Sequence, residues 1–573
     1  MIQLPYWSRH KRRVVMCRVI AGTLLLSLLG VFFFPSVVEA TPSPLKNSIR
    51  KQQVREAPDV PEYSPQDTRY EPPAADIREP EKPAIAKHAP SHQTPIVQKK
   101  PNINIEEAVL KLKSLYPDEV RTKGILSPLT ATGEALLRDL AFRTRAFREA
   151  LAAWEALHFV IDGPTLSQRD IIPQLRAAKR PSENFAEAVH SYDRFRAYIN
   201  KLAARLFPWT MAFYADHMSL HASFYSGGKG IVLTAGDGQA PYLLTSIPSF
   251  RKLGCELPIE ILYLGDEDLS EDYRDALEAL PGVLTRDLSQ MVNDEGWALK
   301  GWAMKPFAIL MSSFREVLFI DADALFLVNP ETMFDDEQYT STGALFFKDR
   351  NLNPEKKRGW LKSILPSPIS DHVKKSRMWT GESGHQQDSG VLVIDKWKHF
   401  VSLLLTTRMN GPDRDGNKDQ GKKGVYEMVY GDKETFWLSW ELAGDLGYSF
   451  HDSVVGTMGT LNTTVATKRA SEAICSAQLL HFDREGLPLW FNGGLSKTKD
   501  ESDNFKHYQP FEYYMQEPRE KGRAVTSDNW SIQPSNVVCL EGEEHFPFSA
   551  HTQGVLEMLL DLARQNAEAE PES

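Results

Sequence analysis

The run from Glu316 to Asn329, Glu-Val-Leu-Phe-Ile-Asp-Ala-Asp-Ala-Leu-Phe-Leu-Val-Asn, constrains the fold more than any other stretch of this chain. Strand-forming residues, Val317 to Ile320, give way abruptly to two carboxylates, Asp321 and Asp323, and apolar residues resume at Ala324. A solvated Asp-x-Asp turn would not be wedged between Phe319 and Leu325. Side chains alternate along an extended chain, so Asp321 and Asp323 are expected to point the same way. Two hard oxygen ligands at the C-terminal end of a buried strand suit Mg²⁺ or Mn²⁺. In open α/β sheets that edge is also where ligands bind.

The surrounding pattern is α/β. Gly230–Gly236 and Ile259–Leu264 read as short apolar strands, Pro241–Leu253 and Asp272–Leu280 as helices, and Pro306–Phe314 as a helix feeding the Asp321 strand. Alternating strands and helices predict a mostly parallel, doubly wound sheet. Gly236-Asp237-Gly238 lacks the spaced third glycine of a phosphate loop. Thr234, Ala235 and Gly236 instead read as a strand end where small residues let a nucleotide base or ribose approach. Upstream, Leu136, Leu140, Phe147, Leu151 and Trp154 recur at helical spacing, as do Phe185, Val189, Tyr192, Ile199, Leu202 and Leu206, so about Ile105 to Phe207 is expected to be helical. The expected organisation is a helical subdomain over 102–225, a catalytic domain over 226–500 and a C-terminal extension over 501–573.

The N-terminus fixes an expected compartment. Basic residues at 9–13 precede a nearly unbroken apolar run from Val19 to Val38, long enough to span a bilayer. Positive charge on that flank predicts a cytosolic tail (1–13), a signal-anchor (14–38) and a luminal remainder. A cleaved signal peptide is the rival reading, because Val38-Glu39-Ala40 resembles a cleavage site. Residues 39–101 hold twelve of the chain's 36 prolines and read as an extended, disordered stem. Asn462-Thr463-Thr464 and Asn529-Trp530-Ser531 are glycosylation sequons that fit luminal exposure. Of four cysteines, Cys17 lies at the membrane edge. We assign a disulfide to Cys475–Cys539 and leave Cys255 buried and free. A net charge of −10 gives no footprint for nucleic acid.

Four further segments carry chemistry. Lys305 stands before a helix and could reach a donor phosphate; a solvated lysine is the alternative. Gly384–Gly390 precedes the strand Val391–Ile394, which would bring Asp388 to the same sheet edge as Asp321. Asp432 and Glu434 lie together at the start of an aromatic-rich helix, where Asp432 has the simpler explanation of a helix cap and Glu434 has less structural excuse. His481 follows an apolar pair before a Gly486/Pro488 turn, and its imidazole could complete a two-Asp, one-His metal set. Open positions on such a cation would take the two phosphates of a nucleotide diphosphate sugar, neutralising charge as the diphosphate departs. The sugar left behind would be oxocarbenium-like and stabilised by nearby carboxylates. The residues therefore describe a membrane-anchored luminal glycosyltransferase.

The ordered series Tyr263-Leu-Gly-Asp-Glu-Asp268, Lys305-Pro-Phe-Ala308, Phe319-Ile-Asp-Ala-Asp323, Thr380-Gly-Glu-Ser-Gly384, Tyr430-Gly-Asp-Lys-Glu-Thr-Phe436 and Leu480-His-Phe-Asp483 resembles fungal mannosyltransferases of glycosyltransferase family 71. The resemblance covers about residues 225 to 500. It implies a GT-A-type nucleotide-sugar-binding (Rossmann-like) fold, a GDP-mannose donor, a mannosylated glycan or glycoprotein acceptor, Mn²⁺ (with Mg²⁺ as the substitute), and a retaining, α-1,3 transfer in the Golgi. The metal role then falls on Asp321 and Asp323, with His481 as third ligand. Donor binding falls on Thr234, Ala235, Gly236, Lys305 and Asp321. Glu434 and Asp388, then Asp432, are the candidate catalytic carboxylates. Another nucleotide sugar or an α-1,2 linkage is the nearest alternative. A haloacid-dehalogenase-type phosphatase also places Asp-x-Asp after a strand, but it wants Thr or Val where Leu325 stands. A non-catalytic sugar-binding protein is the other rival, and intact Asp321, Asp323 and His481 weigh against it.

Overall fold

The computed structural model describes residues 105–177, 184–462, 472–497, 508–518, 529–533 and 537–569, all within one compact unit, Pro95–Ser573. The expected tail, signal-anchor and stem lie outside the described residues, as do Thr463 and Thr464 of the first sequon. Among the described residues no helix is long and apolar enough to cross a membrane.

The helical segment begins with Ile105–Leu115 and Glu119–Leu126, followed by α1 (Gly133–His158) and α2 (Phe185–Leu206). It is not helical throughout. Phe159–Asp162 and Thr165–Gln168 pair as an antiparallel hairpin, turning at Gly163, whose φ of +58° a residue with a Cβ rarely adopts.

Strands β1 (Lys229–Thr234), β2 (Ile259–Tyr263), β3 (Val283–Asp287), β4 (Glu316–Ile320), β6 (Ala344–Lys348), β7 (Gln387–Asp395) and β8 (Ser449–Phe450) form the central sheet, while β5 (Ala324–Phe326) leaves it. The order is β8-β6-β7-β4-β1-β2-β3. Pairs β8/β6, β4/β1, β1/β2 and β2/β3 are parallel. The expected mostly parallel sheet is therefore present, interrupted by β7, which runs antiparallel to both its neighbours. Helices α3 (Ala240–Lys252), α4 (Met304–Met311), α5 (Lys396–Asn410) and α6 (Thr435–Ala443) flank it.

Burial on both faces explains the unbroken apolar strands. Val317 and Phe319 of β4 join the core built on α1, α2, α4, α5 and α6. Leu318 and Ile320, one pleat over, join the opposite core with Leu243, Ile247 and Phe250 of α3. One continuous core thus runs from the N-terminal helices through to the sheet.

A second, antiparallel sheet holds β5 together with β9 (Val455–Gly459), β11 (Leu479–Phe482), β12 (Pro488–Asn492) and β13 (Tyr513–Gln516), where β10 (Glu472–Ser476) belongs to a third small sheet. In that third sheet Cys475 faces Cys539 across β10 and β15 (Val538–Gly542; β14 is Trp530–Ile532), and the assigned disulfide joins them. Cys255 is free and buried. The C-terminal region is no appendage: β13 pairs with β9, and Val555, Leu556 and Leu559 of α7 (Ala550–Ala569) share a core with Leu325 and Phe491. Trp530 has a structural role, donating from Nε1 to Glu517 at 2.8 Å, and Asn529 of the second sequon donates to the Glu541 carbonyl at 3.0 Å.

Candidate active site

The Asp-x-Asp motif lies where the two sheets meet. β4 ends at Ile320 in the central sheet and β5 begins at Ala324 in the second. Asp321, Ala322 and Asp323 form the turn between them, closed by Ala324 N–H donating to the Asp321 carbonyl at 3.0 Å. The extended geometry expected for the motif is therefore corrected to a turn, because β5 must leave the central sheet to pair with β12. That pairing also accounts for the apolar residues after the motif. The turn is pinned from both sides: Asp321 N–H donates to Gly390 O at 2.8 Å, and the Gly493 and Gly494 N–H groups donate to Asp323 O at 3.1 and 2.8 Å.

This turn forms one wall of an open cleft of about 380 Å³ at the C-terminal ends of the parallel strands. The expected donor residues Thr234, Ala235, Gly236, Lys305 and Asp321 all line it, together with Asp323. Gly236 is required for a closer reason than ligand approach: a Cβ there would stand 2.6 Å from Oδ1 of Asp268. Gln239, Tyr242, Trp302, Gly493 and Ser496 also line the cleft, and sequence reasoning missed them. Only the Gly493-Gly494 pair carried a local signal, as a turn after a strand.

Lys305 organises the charges. It sits in the first turn of α4, where the helix dipole disfavours a cation, and is 6% exposed. Its ammonium donates to Asp321 Oδ2 at 2.7 Å and to Ser389 Oγ at 3.1 Å, and lies 3.4 Å from Asp432 Oδ2. Burial alone would lower its pKa, but the carboxylates of Asp321 and Asp432 raise it above the ordinary lysine value. Burial pushes the Asp321 carboxyl up to about 7 against the pull of Lys305, with repulsion from Asp323 and Asp432 adding to the rise.

The remaining candidates are buried behind this wall. Asp388, in β7, accepts from Gly390 N–H and from Asn492 Nδ2, each at 3.2 Å, and its other oxygen lies 3.0 Å from His481 Nε2. Burial opposes its ionisation, yet the His481 hydrogen bond, with His481, Lys433 and Lys305 nearby, holds it below the usual carboxylate range. His481 is correspondingly not brought to the Asp321/Asp323 pair. It is held in β11, stacked on Trp490 with ring centroids 3.9 Å apart, and 1% exposed. Among the described residues no group of three or more His, Cys, Asp or Glu side chains gathers as a metal cage.

The expected roles of Asp432 and Glu434 are exchanged. Glu434 has a full structural duty: one oxygen accepts the Gln386 and Gln387 N–H groups at 2.7 and 3.3 Å, and the other accepts Trp437 Nε1 at 2.5 Å. Burial pushes its pKa up to about 7 against those hydrogen bonds. It thereby ties the approach to β7 onto α6. Asp432, read as a cap, uses its backbone carbonyl for Thr435 and leaves its carboxylate beside Lys305.

The carboxylate pair and the buried cation stand at the sheet edge where open α/β folds bind ligands. The comparisons with known proteins agree with the ordered motifs. Residues 228–483 match the family described as "Mannosyltransferase putative". The chain is 28% identical over 330 residues to Alpha-1,3-mannosyltransferase MNT2 of Saccharomyces cerevisiae, covering 51% of this chain and 56% of that protein. It is 27% identical over 360 residues to Alpha-1,3-mannosyltransferase MNN1 of the same yeast, covering 50% and 45%. The resemblance to fungal α-1,3-mannosyltransferases therefore holds, and the chain spans about half the length of these curated relatives. Among solved structures, the Mn/GDP form of core-mannan synthase A from Aspergillus fumigatus is similar at 11% identity and a TM-score of 0.26, over 39% of this chain and 72% of that one. So low a score carries no argument, and the fold class rests on the sheet itself.

Proposed function

We propose that this chain is a GT-A-type glycosyltransferase, anchored in the Golgi membrane with its catalytic region luminal. It transfers mannose from GDP-mannose to a mannosylated glycan or glycoprotein, with retention, forming an α-1,3 bond. The observation that carries the reading is the Asp321–Asp323 turn opening on the cleft beside Lys305, inside the segment that matches a mannosyltransferase family. The Cys475–Cys539 disulfide supports an oxidising, luminal setting.

The residues fit a divalent cation. Asp321 and Asp323 offer hard oxygens on a turn whose backbone is fixed by Gly390, Gly493 and Gly494, and ions such as Mg²⁺ need only one or two carboxylates when phosphates supply further ligands. Asp321 and Asp323 would hold the ion, and when bound it supplies Lewis-acid neutralisation of the departing diphosphate. Lys305, kept protonated by Asp321 and Asp432, sets a fixed positive charge on the same wall. Thr234, Ala235 and Gly236 leave room for the nucleoside at the end of β1. Retention needs either a carboxylate nucleophile or same-face attack in which the leaving diphosphate takes the acceptor's proton. Asp388, Asp432 and Glu434 are each at most 3% exposed and engaged by His481, Lys305 and Trp437, which favours same-face delivery.

The test offers GDP-mannose, UDP-glucose and UDP-galactose to the purified chain with α-mannobiose, in Mn²⁺ or EDTA. Mn²⁺-dependent mannosyl transfer with an α-1,3 product supports the proposal. Use of a UDP-sugar, or a product with inverted configuration, would overturn the donor or the stereochemical part respectively.

A further inference from the structure

Two exposed aromatic side chains stand at the cleft. Trp209, Trp437, Trp440 and Trp490 are fully buried, whereas Trp302 is 57% exposed and Tyr430 is 60% exposed. These two come from distant parts of the chain and stand side by side, ring centroids 6.0 Å apart and tilted by 39°. Trp302 lines the cleft, three residues before Lys305. Tyr430 stands two residues before Asp432, whose carboxylate is the partner of Lys305. Gly431, at φ +62°, shapes the turn between them: a Cβ there would come within 3.1 Å of the Trp302 ring. The indole therefore lies against backbone that carries no side chain, with much of its surface in water.

The position of the pair along the sheet edge indicates what it meets. Tyr430 is edge-on to His385, with ring centroids 5.7 Å apart at 78°, and His385 leads into β7. Tyr430 thus lies on the β7 side of Asp321, and Trp302, beside it, lines the cleft itself. Gly236 and Asp268 follow β1 and β2, on the other side. With the nucleoside at the β1 end and the diphosphate at Asp321 and Asp323, the Tyr430 side of the pair is left for a second substrate, because β7 flanks β4 on the side away from β1. Two exposed rings side by side form a contiguous apolar patch at a polar cleft, the kind of surface that marks a binding site. Tyrosine and tryptophan join a flat apolar face to a polar edge. A pyranose has a matching form, with C–H groups on its face and hydroxyls around its rim.

We propose that Trp302 and Tyr430 form the stacking platform for the terminal sugar of a neutral, α-linked mannose chain serving as acceptor. The inference rests on the proposed mannosyl transfer, because that reading places the nucleotide at the β1 end and leaves the Tyr430 side for the acceptor. The apolar face of the acceptor sugar covers the two rings, displacing their water, and its hydroxyl edge turns toward Asp321 and the donor.

The test is a titration of the full chain with α-linked mannotriose, read by tryptophan fluorescence in the presence of GDP and Mn²⁺, for the parent and for Trp302→Ala, Tyr430→Ala and Tyr430→Phe. Each alanine variant should weaken binding about tenfold, and Tyr430→Phe, which keeps the ring, should stay within about twofold. In transfer assays the same alanine variants should raise the acceptor KM by a similar factor and leave the donor KM nearly fixed. No mannotriose binding by the parent, or equal binding by parent and both alanine variants, would overturn the platform. A rise in donor KM in place of acceptor KM would also overturn it, assigning the rings to the nucleotide. Because the titration needs no turnover, mannotriose binding that depends on both rings would support the platform even if mannosyl transfer failed.

Discussion

The buried ion pair between Arg377 and Glu517 gives a quantitative test of how the C-terminal region is joined to the rest. Glu517 is fully buried: one carboxylate oxygen lies 2.9 Å from Arg377 Nη2. The other accepts Asn351 N–H at 3.0 Å and Trp530 Nε1 at 2.8 Å. Arg377 has only 9% of its side chain exposed, and its second nitrogen donates to the Asp349 carbonyl. Glu517→Ala leaves a buried guanidinium without its counter-charge, which costs about 3–5 kcal/mol, and orphans two donors, at about 1–3 kcal/mol each when nothing replaces the acceptor. Relaxation makes these costs overlap, so we expect a loss of about 4 kcal/mol. Replacing both partners, Arg377→Met with Glu517→Leu, removes the lone charge and should be less destabilising than Glu517→Ala alone. Urea unfolding followed by tryptophan fluorescence reads the difference. A Glu517→Ala variant within about 1 kcal/mol of the parent, or a double variant worse than the single one, would refute the reasoning.

Other consequences are testable in the same preparation. Gly456→Ala places a Cβ 2.0 Å from the Met515 carbonyl oxygen and should split β9 from β13, at a cost of at least ~2 kcal/mol in urea unfolding. His217 is buried against Thr210 and the Phe207 carbonyl, and burial lowers its pKa from 6.5 to about 4. The unfolded chain therefore binds that proton first as pH falls, and stability is lost between about pH 6.5 and 4. At pH 4.5 the contribution amounts to roughly 2–3 kcal/mol relative to neutral pH, and a His217→Phe variant should lose that part of the pH dependence. Lys305→Met removes the cation from between Asp321 and Asp432, and mannosyl transfer should fall by about two orders of magnitude or more, measured as kcat/KM for GDP-mannose.

The elements that sequence made legible are those whose physics is local. Gly230–Gly236, Ile259–Leu264 and Val317–Ile320 are apolar because both faces of the central sheet are covered, and that pattern alone placed β1, β2 and β4. The cleft residues Thr234, Ala235, Gly236 and Asp321 were legible because each stands at the C-terminal end of such a strand, and Lys305 because it opens the helix before β4. What was not legible depends on partners far along the chain. The Asp321–Asp323 turn follows from β5 pairing with β12, whose partner residues lie beyond position 487. The antiparallel direction of β7 follows from its insertion between β4 and β6. Asp432 and Glu434, two residues apart, differ only in whether Lys305 or the Gln386–Gln387 backbone lies opposite, and no local pattern encodes that. The hairpin at 159–168 interrupts an otherwise helical pattern at Gly163, and the partners of His481, Asp388 and Trp490, come from elsewhere in the chain.

The central claim is that Asp321 and Asp323 hold a divalent cation that seats the diphosphate of a GDP-linked sugar. Calorimetric titration of GDP into the parent chain and into Asp323→Asn, each with Mn²⁺ and with EDTA, tests it most directly. We predict GDP binding that requires Mn²⁺ in the parent and is lost in Asp323→Asn. Binding of equal strength in EDTA, or in the Asp323→Asn variant with Mn²⁺, would contradict it.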